Sequence, residues 1–195
     1  MKIYLDFDDT IAKSLPAIVK IVNQRYNKDV RAEDIGQWNF KDVYPDIPQH
    51  EIIEIFSQPE FFKILQPKEN CIPVLHKFCK RNELIVVSKV NHAGLFNKDA
   101  WIKDTLRDIG IDIGFVGVPL GGSKGQIDMS DAIMVDDNVR FLNETNAKYK
   151  ILFDNNTKFH LGQEWDGIRV NSWKELDKVL SEIVSKEKGI TNGKI

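Results

Sequence analysis

The sequence predicts an α/β protein. Its core is a mostly parallel sheet covered by helices on both faces, with a helical segment inserted after the first strand. Three observations predict this. Beyond residue 70, short apolar runs alternate with amphipathic stretches, as where "CIPVLHKFCKR" leads into "ELIVVS". Strands that alternate with helices pair in parallel, because each crossover helix lies on a sheet face. The strand candidates "IYL", "LIVV" and "AIMV" are continuous apolar runs, as expected of strands buried on both sides. Between residues 14 and 70 the alternation gives way to helical periodicity and proline-broken loops.

Residues 2–6 read as a short buried strand. In "KSLPAIVKIVNQRY", residues 13–26, Ile18, Ile21, Val22 and Tyr26 recur at helical spacing. Residues 27–48 are polar and broken by Gly36, Pro45 and Pro48, with Trp38, Phe40 and Tyr44 among them. "HEIIEIFSQPEFFKIL" reads as one or two short helices, and Pro67 marks a boundary. "CIPVLHKFCKR" is then an amphipathic helix and "ELIVVS" a β-branched strand. "DAWIKDTLRDIG" is a helix closed by Gly110 as C-cap, and "IDIGFVGV" is strand-like. "DAIMVDD" is a strand, "VRFLNETNAK" a helix and "YKILF" a strand. In "SWKELDKVLSEIVSK" Ser172 and Glu175 have the spacing of a capping box, so a last helix starts there. The expected division is a core of residues 1–13 plus 71–188, a helical cap of 14–70 and a flexible tail of 189–195.

A formal charge of −2 over 195 residues argues against a nucleic acid polymer or an anionic membrane as partner, since both select basic surfaces. No apolar run is long enough to span a bilayer, and no early segment resembles a signal peptide. Cys71 and Cys79 lack metal-site spacing and read as packing residues, so the expected setting is cytoplasmic and reducing. Oligomeric state has no signature in the sequence.

Polar residues gather at the strand ends. The first strand runs into Asp6, Asp8 and Thr10; "ELIVV" runs into Ser88 and Lys89; "AIMV" runs into Asp136 and Asp137. The loop "LGGSKGQ" carries Lys124. In open α/β sheets ligands bind beyond the carboxyl ends of the strands, so these residues should converge. Crowded carboxylates repel and are costly to desolvate unless a cation holds them. The set suits phosphoryl transfer to an enzyme carboxylate. Asp6 would attack phosphorus. Asp8 would protonate the leaving oxygen and then deprotonate a water. Mg²⁺ would sit between Asp6 and Asp136, with the Asp8 backbone carbonyl and waters completing its oxygen shell. Ser88 and Lys124 would hold phosphate oxygens, and Lys124 would offset charge on Asp6.

Other residues read two ways. Thr10 either caps the next helix or touches substrate. Asp137 either joins the metal ligands or braces the loop. Phe61, Phe62, Trp38 and Phe40 either stack on a substrate base or fill the cap's own core. His92 is a substrate contact or an exposed loop residue. Arg140 reads as helix surface, and Trp165 and Trp173 as packing.

"LDFDDT", "VVS", the loop lysine and "MVDD" resemble, in order, the four motifs of haloacid dehalogenase-superfamily phosphatases. The closer resemblance is to 5′(3′)-deoxyribonucleotidases, through "PEFFKILQP" leading into "VLHKFCK", "KDAWIKDTL" after Ser88, and "DAIMVDDN". It covers roughly residues 1 to 180. It implies a Rossmann-like core with a small C1-type helical cap, Asp6 as nucleophile, Asp8 as acid/base and Asp136 as metal ligand with Asp137 beside it. Three features depart from the pattern. Asp9 stands where many superfamily members have glycine, Ser14 stands where the vertebrate enzymes have an aromatic residue, and Lys124 lies about two residues further from Asp136. The expected function is Mg²⁺-dependent hydrolysis of a small phosphomonoester, most specifically a deoxyribonucleoside monophosphate. The alternatives are a sugar phosphate or other phosphometabolite, and a non-catalytic ligand-binding protein. Specificity is expected in the cap and in the "SKVNHAG" loop, because the core meets only phosphate.

Overall fold

The computed structural model describes residues 1–37 and 39–192, with side chains to residue 189. Six strands, all parallel, lie in the order β3-β2-β1-β4-β5-β6. They are β1 (Lys2–Leu5), β2 (Glu83–Val90), β3 (Gly114–Pro119), β4 (Ile133–Asp136), β5 (Tyr149–Phe153) and β6 (Ile168–Val170). Successive side chains point to opposite faces. Thus Ile3, Leu5, Ile133, Val135, Ile151 and Phe153 pack into one apolar cluster, while Tyr4, Met134 and Leu152 pack into another. Both sides of the central strands are dry, which is why they read as unbroken apolar runs. The first face is covered by α4 (Cys71–Cys79), α5 (His92–Thr105) and α8 (Trp173–Asn192), and α6 (Val139–Glu144) covers the second.

The segment between β1 and β2 holds α1 (Ser14–Tyr26), α2 (Gln49–Ile55) and α3 (Pro59–Ile64). It leaves and returns at adjacent points. Ala12 pairs antiparallel with Pro67, the Lys13 amide donates to the Gln66 carbonyl at 2.8 Å, and the Lys68 amide donates to the Ile11 carbonyl at 2.7 Å. Its apolar face does not close on itself. Ile18, Ile52 and Phe61 belong to the same buried cluster as Phe7 and Trp101 of the core. The Phe7 and Trp101 rings meet edge to face at 5.1 Å, and the Trp101 indole N–H donates to the Leu65 carbonyl at 3.2 Å.

The α1 helix has no side-chain N-cap of its own. Asp9 does that work from outside, both carboxylate oxygens accepting from the Leu15 amide at 3.0–3.1 Å. Asp9 has φ +52°, the left-handed region that glycine adopts freely and Asp tolerates. Glycine would fit the same conformation, and the aspartate adds a cap.

Four elements differ from the sequence expectation. Helix α5 starts at His92, seven residues before Asp99, because the Asn91 side chain accepts from the Gly94 amide at 2.8 Å and caps it there. The "SKVNHAG" stretch is therefore strand end and helix start, and His92 is the first residue of α5. Helix α7 (Lys158–Leu161) and strand β6 are too short to show a period and were not anticipated. Helix α8 continues to Asn192, past the expected boundary at 188, and residues 193–195 lie outside the described residues. The Ser172 hydroxyl accepts from the Glu175 amide at 3.3 Å, and the Glu175 carboxylate accepts from the Asn171 amide at 3.0 Å, which fixes the start of α8. Among the described residues no helix is long and apolar enough to cross a membrane.

Candidate active site

Chain order reverses around β1, with β2 on one side and β4 on the other, so the carboxyl ends of β1 and β4 form the natural ligand crevice. Leu5 is level with Val135, and the Asp6 amide donates to the Val135 carbonyl at 2.8 Å. Asp6 and Asp136 therefore emerge side by side. Between them lies Lys124, 0% exposed, with Nζ 2.5 Å from Asp6 Oδ1 and 2.6 Å from Asp136 Oδ2. Lys124 begins a single 3₁₀ turn capped by Ser123. That turn presses on the end of α6, where a Cβ at Gly125 would come within 2.2 Å of the Glu144 carbonyl oxygen. The close approach requires glycine and keeps Lys124 aimed inward.

Carboxylate oxygens of Asp6, Asp136 and Asp137 lie within 4.8 Å of one another, all buried. Burial pushes the Asp6 carboxyl up to about 7; Lys124 pulls it down, while Asp136 and Asp8 push it further up. Burial likewise lifts Asp136 to about 6 against the pull of Lys124. Asp137 is raised well above the usual carboxylate range by burial and then by Asp6 and Asp9. Burial alone would lower Lys124, but Asp136 and Asp6 outweigh it and hold the ammonium above its ordinary value. One fixed cation among three carboxyl groups is too little to hold all three ionised, and burial raises all three in answer. An all-oxygen donor set with that deficit fits a hard divalent cation such as Mg²⁺.

The Asp8 carboxylate lies outside that cluster and is held from two sides. The Ser14 hydroxyl donates to Oδ1 at 2.7 Å, and Lys98 pairs with Oδ2. Lys98 is 4% exposed. Its ammonium also donates to Ser88 Oγ at 2.7 Å and lies 4.7 Å from the centre of the Phe7 ring. Ser88 Oγ stands 3.5 Å from Asp8 Oδ2.

Above these groups opens a cavity of about 380 Å³. Asp6, Asp8, Ser88 and Lys98 line its polar end. Phe40, Ile53 and Phe56 of the inserted segment, with Leu120 and Phe141 of the core, supply apolar wall. Lys89, Asn91, Asn138 and Arg140 also line it. Two hydrogen bonds join the inserted segment to the core beside the cavity: Ser57 hydroxyl to Asn91 Oδ1 at 2.9 Å, and Asn97 Nδ2 to the Ser57 carbonyl at 2.8 Å.

The structure thus gathers Asp6, Asp8, Ser88, Lys124, Asp136 and Asp137 at one sheet edge, with Lys89 on the cavity wall. It places others elsewhere. Phe61 is fully buried between Phe56 and Phe62, at ring distances of 5.3 and 5.2 Å, and Phe62 packs on the same apolar cluster. Neither lines the cavity; Phe40 and Phe56 do. Thr10 is fully buried away from the cavity, its carbonyl accepting from the Trp173 indole N–H at 2.9 Å. Trp38 lies outside the described residues. Sequence reasoning missed Lys98, which in the structure shares one buried stripe of α5 with Trp101 and Ile102.

Comparison with known proteins gives the family and the fold. The profile of the family described as 5′ nucleotidase, deoxy (pyrimidine), cytosolic type C protein matches residues 1–188. Two Staphylococcus epidermidis proteins carrying the provisional name 5′(3′)-deoxyribonucleotidase are each 26% identical over 89 residues, which is 45% of this chain and 48% of theirs. The chain spans about half the length of the curated relatives it matches. Among solved structures, a haloacid dehalogenase-like family hydrolase from Streptococcus pneumoniae superposes with a TM-score of 0.65 at 14% identity, covering 91% of this chain and 97% of that one. A magnesium-bound haloacid dehalogenase-type hydrolase from Bacillus subtilis gives 0.58 at 11% identity, covering 92% and 98%. At these identities the likeness is one of fold.

Proposed function

Because the chain belongs to the 5′ nucleotidase, deoxy (pyrimidine), cytosolic type C family, we propose that it hydrolyses nucleoside monophosphates, with 5′(3′)-deoxyribonucleotides as its best substrates. One observation carries the chemistry: Asp6 and Asp8 at the polar end of one cavity, with Asp6 bridged to the buried Asp136 by Lys124. Asp6 attacks phosphorus and becomes an aspartyl phosphate. Asp8 gives its proton to the departing nucleoside oxygen, then takes one from the water that cleaves the acyl phosphate. Ser14 and Lys98 keep the Asp8 carboxylate in place for both transfers. Ser88 and Lys124 meet the phosphate oxygens, Lys124 by charge and Ser88 by its hydroxyl. Asp6 and Asp136, with Asp137 beside them, are the residues that would hold Mg²⁺, which when bound supplies positive charge against the phosphate dianion.

The leaving group faces the inserted segment, which acts as a cap. Phe40, Phe56 and Phe141 offer ring faces or edges to a nucleobase. A sugar phosphate would leave that apolar wall unused, which favours a nucleotide over the alternative.

The test is phosphate release with Mg²⁺ and with chelator from 5′- and 3′-deoxyribonucleotides, ribonucleotides, sugar phosphates and p-nitrophenyl phosphate. Chelator-sensitive turnover, strongest on deoxyribonucleotides, is expected. Turnover on sugar phosphates alone would overturn the nucleotide assignment and keep the chemistry. Asp8→Asn should lower kcat by several orders of magnitude while the protein stays folded; unchanged turnover would remove Asp8 from its role.

A further inference from the structure

The stretch between β5 and β6 delivers a buried histidine to the acidic cluster. His160 is fully buried, and its Nε2 lies 2.8 Å from Asp137 Oδ2. Its Nδ1 lies 2.5 Å from Thr157 Oγ1. The Thr157 oxygen also accepts the backbone N–H of His160 at 3.3 Å. A hydroxyl that accepts there still has one hydrogen to give, and Nδ1 is positioned to take it. With Asp137 accepting as a carboxylate, Nε2 is the ring nitrogen that donates to it; Asn155 Nδ2 also lies 3.3 Å from Nε2.

The segment that carries it is tied down. The Asp154 amide donates to the Val170 carbonyl at 2.7 Å, the Asn156 amide donates to Asp154 Oδ1 at 2.8 Å, and Arg169 donates to Asp154 Oδ2 at 2.5 Å. Asp137 is also gripped through its backbone. Gln163 Nε2 donates to the Asp137 carbonyl at 2.8 Å, and Gln163 Oε1 accepts from the Val139 amide at 2.8 Å.

Three buried carboxylates sharing one lysine repel one another and tend to splay. A hydrogen-bond donor on a buried, tethered ring holds the Asp137 carboxylate in one orientation. We propose that Thr157 and His160 are positioning residues that fix the Asp137 carboxylate beside Asp6 and Asp136, and so set the affinity of the cluster for Mg²⁺. The inference rests on the Mg²⁺ reading above. Partners that orient metal-binding side chains in this way are worth about 10- to 100-fold in affinity.

The test is calorimetric titration of Mg²⁺ into metal-free protein without substrate. His160→Ala should weaken binding about 10- to 100-fold. His160→Gln, which keeps an N–H donor near the Nε2 position, should recover to within a few fold of wild type. Thr157→Val, nearly isosteric, should weaken binding by roughly three- to tenfold through loss of the tautomer lock; it decides the matter if His160→Ala does not fold. Affinities within twofold of wild type in folded His160→Ala and Thr157→Val would overturn the inference alone. Failure of His160→Gln to recover would reduce His160 to a packing role and overturn it as well. A wild-type protein that takes up no Mg²⁺ would overturn the Mg²⁺ reading, and this inference with it.

Discussion

Replacing Lys124 by Met should destabilise the metal-free protein far more at pH 8 than at pH 5. Lys124 is 0% exposed and pairs with Asp6 at 2.5 Å and Asp136 at 2.6 Å, so no water stands ready to replace it. Removing one partner of a buried ion pair costs about 3–5 kcal/mol when the other stays charged. The carboxyls escape part of that by taking up protons. Asp6 is raised to about 7 and Asp136 to about 6 with Lys124 present, against about 3.9 in an unfolded chain. Between about pH 4 and 7 the folded state therefore binds more protons than the unfolded one, and metal-free stability falls as pH rises. Without Lys124 both carboxyls rise further, so the fall becomes steeper and extends to higher pH. At pH 5 both groups are already largely protonated and the substitution should cost about 1 kcal/mol or less; at pH 8 it should cost about 3 kcal/mol. With a urea slope of about 2 kcal/mol per molar, the pH 8 midpoint moves down by about 1.5 M. The assay is urea unfolding of both proteins in chelator at the two pH values. An equal penalty at pH 5 and pH 8, or a larger one at pH 5, would refute the reasoning.

Lys98→Met removes the cation that pairs with Asp8 and hydrogen-bonds Ser88. Because the Asp8 side chain is 21% exposed and can take on water, the loss should stop near 2 kcal/mol in urea unfolding; kcat should fall at least tenfold with KM little changed, and an unchanged kcat would show the pair to be idle. Mg²⁺ should raise Tm more at pH 8 than at pH 5, since protons on the raised Asp6 and Asp136 compete with the ion; a scanning melt at both pH values checks the order. Cys71 is fully buried and burial pushes its thiol far up, whereas Cys79 is only half-buried. A thiol reagent should therefore label Cys79 first in the native protein and reach Cys71 only on unfolding, as peptide mapping would show.

The strand ends were legible because a carboxylate after a short apolar run is a local pattern; Asp6 and Asp136 follow from it, and β5 follows from the run "YKILF" itself. Lys98 was hidden because a lysine in a helix reads as solvent-facing, and only the partner acid 90 residues away makes it buried. The same holds for His160, whose partner Asp137 lies 23 residues back and whose four-residue helix has no period to read. Phe61 and Phe62 show a different limit. Adjacent helical residues point about 100° apart, but six residues do not reveal which direction holds the cavity. The wall went instead to Phe56, in the turn between α2 and α3.

The antiparallel pairing of Ala12 with Pro67 has a consequence for how this chain can be altered. The stretch from residue 14 to residue 66 leaves and returns through one bridge, so its two ends are neighbours wherever the segment goes. A stretch with abutting ends can be lengthened cheaply, about 0.6 kcal/mol for each doubling of a flexible loop, without shifting a strand of the sheet. It is in effect a socket. A graft would have to bury Phe7 and Trp101 in place of Ile18, Ile52 and Phe61, and accept the Phe159 amide where Ile35 now does at 2.9 Å. Given those contacts, the wall the segment lends the cavity through Phe40, Ile53 and Phe56 becomes exchangeable while the carboxylates and Lys124 stay where they are.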